Sequence, residues 1–166
     1  MLMRYSSVSP DGKYSSPPVA KASYATMVFI RAHIVIDAGL YLGKAITIAT
    51  RYSAVRRQGD KVDKHETQVI DFQTQQWILF PLLATSFALF FTGRFMKKIY
   101  YDFIEARDSK VRSHRKFAKL SGFPLRQGDF SALPELHATS SGLKSLCTYL
   151  TADGIEVLRK ACGGHG

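Results

Sequence analysis

The chain has 166 residues, 46% hydrophobic and 22% charged, enough for one domain with a real core and contrary to wholesale disorder. Its formal charge of +10 raises the question of a nucleic-acid or anionic-membrane partner, but seven Lys and Arg crowd between Ala106 and Gln127 against Asp108 alone. No RNP-like, zinc-finger or helix-turn-helix pattern accompanies them, so no nucleic acid is expected; Cys147 and Cys162 form no disulfide framework or CxxC pair, which points to a reducing compartment.

Met1 to Pro18 reads as loop or ending strand, with a turn at Pro10-Asp11-Gly12 and a break at Pro17-Pro18. It is polar, with no apolar core of a signal peptide. A first helix is predicted from about Tyr24 to Gln58. Small residues at Ala38, Gly39, Gly43, Ala45 and Ala49 would let another backbone come close. Its end thins into Arg51, Arg56, Arg57 and Gln58, and Gly59 opens a polar loop, GDKVDKH.

A second helix is predicted from about Glu66 to Ala106, with a kink at Pro81. Gln68, Gln73, Gln75 and Gln76 crowd its start, and the rest is apolar on almost every face. Trp77 to Gly93 carries no charge over 17 residues, yet it is short for a membrane span, so a buried bundle helix is expected, not a transmembrane one. Arg107 to Gln127 is read as a solvated basic insert. A third helix follows from about Leu133 to Ala161, opened by Pro134 and stopped by Gly163, with Gly142 and Asp153-Gly154 as places where it would break. The fold class is therefore mainly α, an antiparallel helical bundle with a short N-terminal loop or strand remnant. Two helices joined by a short loop lie antiparallel, which gathers arginines and glutamines at one end; guanidinium donors there suit phosphate oxygens.

Five histidines, His33, His65, His114, His137 and His165, show no metal-ligand spacing, and no metal is expected. No GxSxG, Walker A or GxGxxG word occurs, which sets aside hydrolase, P-loop and Rossmann readings.

The words RYSAVRRQ, DFQTQQ, LFPLLA, LPELHA, GLKSL and ACGGHG, in this order, together with MLMRYSSVSPDGKY and SYATMVFIR, resemble the peroxisomal acyl-CoA oxidases. The resemblance covers nearly the whole chain apart from about residues 106–126. It implies that residues 1–22 end a β-domain and its linker, and that 23–166 are part of the family's α-helical domain. It also implies an FAD-dependent oxidation of acyl-CoA to trans-2-enoyl-CoA with O2 reduced to H2O2, in a peroxisomal homodimer, although Cys162 to Gly166 is no peroxisomal tripeptide address. Glu66, Glu105, Glu135 and Glu156 match none of the family's catalytic positions; the family's base lies beyond the GGHG word, so no catalytic residue is expected in this chain.

By the same resemblance, Arg56, four residues after Tyr52, reaches the FAD of the dimer mate; the alternative is a helix-capping arginine. Gln73 matches a cofactor-touching glutamine, unless Gln75 and Gln76 serve instead. Gly163 and Gly164 match a pair whose bare backbone approaches the FAD diphosphate, the alternative being a plain helix stop. Arg31, with Tyr24 and Met27 one turn earlier, would border the acyl-CoA pocket; otherwise Arg31 snorkels to solvent or pairs with Asp37. Two alternatives stay open: a dehydrogenase of the same superfamily that passes electrons to a protein partner, and a non-catalytic helical membrane or scaffold protein.

Overall fold

A computed structural model describes residues 6–16, 25–62, 65–107 and 132–166. Strands β1 (Ser7–Val8) and β2 (Tyr14–Ser15) pair antiparallel across the expected turn, where Gly12 holds φ 80° and donates to Ser9 O at 2.9 Å. Helix α1 (Ala25–Val55) is followed by a hairpin of β3 (Arg57–Val62) and β4 (His65–Gln68), a 3-10 turn (Val69–Asp71), and helix α2 (Gln73–Arg107). Helix α3 (Leu133–Ala161) closes the order with a last 3-10 turn at Gly163–His165. The basic insert read at 107–127 lies, past Arg107, outside the described residues, as does Tyr24.

Each helix buries one seam of residues spaced by three, four or seven. In α1 it runs Val28, Ala32, Val35, Ala38, Leu42, Ile46, Ala49 and Ser53; in α2 it runs Gln75, Leu79, Ser86, Leu89, Met96, Tyr100 and Phe103. Leu133, Leu136, Ser140, Cys147, Thr151, Gly154 and Leu158 form the α3 seam. That spacing puts one stripe of each helix toward a common axis, where burying a Leu or Val side chain contributes roughly 1.5–3 kcal/mol. Helix α2 runs antiparallel to the other two. Arg31 meets His137 near the starts of α1 and α3, and Tyr52 meets His165 near their ends.

The close approach expected of the small residues in α1 is met at Gly39, where a Cβ would stand 2.7 Å from Phe90 N. Gly93 answers it from α2, since a Cβ there would collide with the Ile36 backbone. Gly43, by contrast, has nothing within 4 Å and opens onto an apolar groove of about 840 Å³ between α1 and α2. Three boundary readings need correction. Helix α1 ends at Val55, not Gln58. The segment read as a polar loop and the first turn of the second helix is a hairpin, and α2 begins at Gln73. Tertiary capping decides this: Gln68 Nε2 donates to Ala54 O at 2.7 Å, and Val69 N donates to Arg56 O at 2.9 Å, so the end of β4 and the turn after it take up carbonyls at and just past the end of α1. The third helix does not break at Gly142 or Gly154. A Cβ at Gly154 would meet Leu42 Cδ1 at 2.8 Å, so packing against α1 offsets the helix cost of a glycine, about 1 kcal/mol.

The stretches Met27–Val55 and Gln73–Glu105 are long and apolar enough to cross a membrane by length and composition alone. Helix α2 shows an outward row, Trp77, Phe80, Phe87, Phe91 and Phe95, each more than half exposed.

Candidate functional site

The three helices meet at one end, and a single buried side chain ties them there. Gln75 Nε2 donates to Ser53 Oγ at 2.8 Å and to Ala161 O at 3.3 Å, joining α2 to the ends of α1 and α3. Ser53 Oγ in turn donates to Ala49 O at 2.7 Å. One turn out, Tyr52 Oη and His165 Nδ1 share a hydrogen bond of 3.3 Å with ring centroids 5.7 Å apart. Gln76 Nε2 is occupied by Ile70 O at 3.1 Å. Of the glutamines weighed at this end, Gln75 and Gln76 are spent inside the fold. Gln73, exposed at the first position of α2, has no partner among the described residues.

Around this tie sits a set of unspent donors. Arg51 and Arg56 are exposed, and neither guanidinium has a partner among the described residues. Arg57 is different, since its Nη1 donates to Glu66 O at 2.9 Å. Beyond Cys162, whose N–H bonds Arg159 O at 3.2 Å, the N–H groups of Gly163 and Gly164 find no backbone acceptor among the described residues, while the 3-10 turn itself engages the N–H of His165. Gly163 holds φ 63°, a left-handed value that favours glycine, and turns the chain off the helix. Gly164 has no positive φ, and a Cβ placed on it would meet nothing within 4 Å, so the described residues give no reason of their own for its missing side chain. Nearby charge is partly balanced: Glu156 pairs with Arg159 at 2.8 Å and Lys160 at 3.3 Å, and these contacts, Arg159 first, pull its carboxyl down from 4.5 to about 2. Lys160 is thereby engaged.

The residues read as acyl-CoA contacts lie at the other end of α1. Arg31 is some 25 residues from Arg56, roughly 35–40 Å along the helix at ~1.5 Å per residue. Its Nη1 donates to His137 Nδ1 at 3.0 Å, so the partner is this α3 histidine and not Asp37. A guanidinium has no acceptor, which places the His137 proton on Nε2. Met27 is half exposed at that end. The structure thus gathers Arg56, Gln73, Gly163 and Gly164 in one place and sets Arg31 and Met27 apart. Sequence reasoning missed His137, Tyr52 and His165 as members of these groups; each pair is more than a hundred residues apart in the chain, and no spacing rule links them.

The acyl-CoA oxidase C-alpha1 domain model matches residues 24–166. The chain belongs to this family. Rat peroxisomal acyl-coenzyme A oxidase 1 is 48% identical over 167 residues, covering 100% of this chain and 22% of the relative. The Arabidopsis thaliana acyl-coenzyme A oxidase 1 is 49% identical over 168 residues, with 100% and 23% covered. Among solved structures, acyl-CoA oxidase-2 of Caenorhabditis elegans, bound with FAD, ascaroside-CoA and ATP, is similar at 44% identity and a TM-score of 0.80, covering 99% of this chain and 22% of that one. A tomato acyl-CoA oxidase follows at 47% identity and a TM-score of 0.76, covering 99% and 23%. The C-alpha1 segment therefore spans about a fifth of the length of the curated relatives it matches.

Proposed function

We propose that this chain supplies helices to a longer, FAD-dependent peroxisomal acyl-CoA oxidase, and that the end built on Gln75 reaches the FAD held by a twin protomer. The observation that carries the proposal is the pair of free N–H groups at Gly163 and Gly164, beside Arg56 and Gln73, which have no partner among the described residues. Backbone donors on residues without Cβ suit a diphosphate, which needs close approach and several hydrogen bonds at once. Arg56 and Gln73 would hold the dinucleotide from α1 and α2. The chemistry FAD supplies in such enzymes is acceptance of the β-hydride of an acyl-CoA and its delivery to O2 as H2O2. At the far end, Arg31, steadied by His137, would face the acyl-CoA together with Met27 and Tyr24.

None of the described glutamates suits the proton-abstracting role. Glu66, Glu105 and Glu135 are exposed, and Glu156 is held ionised by its cationic neighbours, whereas a base for the α-proton needs an apolar pocket that raises its pKa. That base would come from elsewhere in the polypeptide. The outward aromatic row of α2 fits the same reading, since a helix apolar on several faces needs cover on each of them. The test is to purify the full-length polypeptide carrying this segment. It should be yellow, and acyl-CoA should drive O2 consumption with one H2O2 formed per enoyl-CoA. A colourless protein, or turnover only with an electron-transfer flavoprotein, would overturn the proposal.

A further inference from the structure

We propose that Tyr52 and His165 form a latch that positions the Gly163–His165 turn for the FAD diphosphate. This rests on the reading above of the bundle end as an FAD site. The turn follows the end of α3 and leaves it through the left-handed Gly163. Its internal bond is Gly166 N to Gly163 O at 3.1 Å, and Gly166 packs on the Arg159 backbone of α3, but neither contact ties the turn to α1. Below it, Cys162 is buried and Gln75 holds Ala161 O, so α3 is fixed up to that point. Gly163 and Gly164 carry no side chains to anchor. The first side chain able to hold the turn is therefore His165, and it is the one that touches α1, through Tyr52.

The hydrogen bond and the ring contact fix complementary things. The ring contact at 5.7 Å sets how far the turn stands from α1, and the Oη–Nδ1 bond at 3.3 Å sets its rotation. Rotation decides where the free N–H groups of Gly163 and Gly164 point. Tyr52 also lies one turn before Arg56, and Arg56 N donates to Tyr52 O at 2.8 Å, so the latch joins the turn to the backbone that carries the arginine. Both donor sets would then be held in one register. Tyr52 and His165 act on FAD through the turn and are positioning residues.

The experiment uses the full-length holoenzyme, stripped of flavin and titrated with FAD by quenching of flavin fluorescence, alongside thermal unfolding of the apoprotein. Tyr52→Phe keeps the ring and removes the hydroxyl; His165→Leu removes the nitrogen; His165→Asn keeps a polar atom near the Nδ1 position. Tyr52→Phe and His165→Leu are expected to weaken FAD binding about five- to tenfold each, the worth of one hydrogen bond. The double variant should lose no more than either single one, and His165→Asn should stay within about twofold of the parent, because only the shared bond is at stake. Apoprotein unfolding should be unchanged in Tyr52→Phe; if His165→Leu unfolds early, Tyr52→Phe and His165→Asn decide. Equal FAD affinity in parent and Tyr52→Phe overturns the latch while leaving the FAD site intact. Additive losses, or His165→Asn as weak as His165→Leu, overturn it too. A parent that binds no FAD overturns the underlying reading and the latch with it.

Discussion

Replacing Gly93 by alanine sets two opposed effects against each other. In a helix interior the change should stabilise by about 0.8–1 kcal/mol, because alanine loses less backbone freedom on folding. At this position, however, the new methyl would collide with the backbone of Ile36 on α1, and a backbone cannot rotate aside as a side-chain tip can. Overpacking of this kind costs about 1–3 kcal/mol, so the clash should win by roughly 1 kcal/mol. Gly142 is the control: it is also inside a helix, with nothing within 4 Å, and Gly142→Ala should stabilise by about 0.5–1 kcal/mol. Amide hydrogen exchange in the full-length polypeptide reads both locally. Peptides from α1 and α2 should exchange about fivefold faster in Gly93→Ala, and those from α3 more slowly in Gly142→Ala. If Gly93→Ala protects α1 as well as Gly142→Ala protects α3, the two helices do not touch at Gly39 and Gly93, and the close crossing of α1 and α2 is refuted.

Gln75→Leu should cost about 1–3 kcal/mol, seen as faster exchange at the ends of all three helices at once, because the buried Ser53 hydroxyl and the part-buried Ala161 carbonyl lose their donor. Gln73→Ala should leave exchange unchanged and weaken FAD binding, since its amide has no partner among the described residues. Glu156 predicts an acid response of stated sign: with its folded pKa pulled from 4.5 to about 2, its pairs with Arg159 and Lys160 add stability above 4.5 and lose it as pH falls through about 2. The last turns of α3 should fray in that window, measured as the loss of α3 protection relative to intrinsic exchange, and Glu156→Gln should remove the transition.

Much of the fold was legible because the helices are long and their buried residues recur every three, four or seven positions. The hairpin was not. Arg57-Gln-Gly-Asp-Lys-Val62 lacks the apolar alternation that marks a half-buried strand, and what makes it one is the capping of α1 by Gln68 and Val69, a tertiary effect. Gly154 misled in the same way, since its helix cost is visible in sequence while the Leu42 side chain that offsets it is not. At the candidate site, the gathering of arginines and glutamines at one end followed from antiparallel packing. Which glutamine remains free did not, because a shift of two residues along a helix separates a buried face from an exposed one. The pairing of Arg31 with His137 was equally hidden: Asp37 is nearer in sequence, but α3 brings the histidine within 3.0 Å.

The central claim is that the free N–H groups at the end of α3 are donors to FAD. Hydrogen exchange of the full-length polypeptide, compared with and without FAD, tests this directly. Without FAD, the amides of Gly163 and Gly164 should exchange near the intrinsic rate, having no backbone acceptor among the described residues. With saturating FAD they should be protected at least about tenfold, as donors held to phosphate oxygens are. Fast exchange at both in a flavin-saturated protein would contradict it.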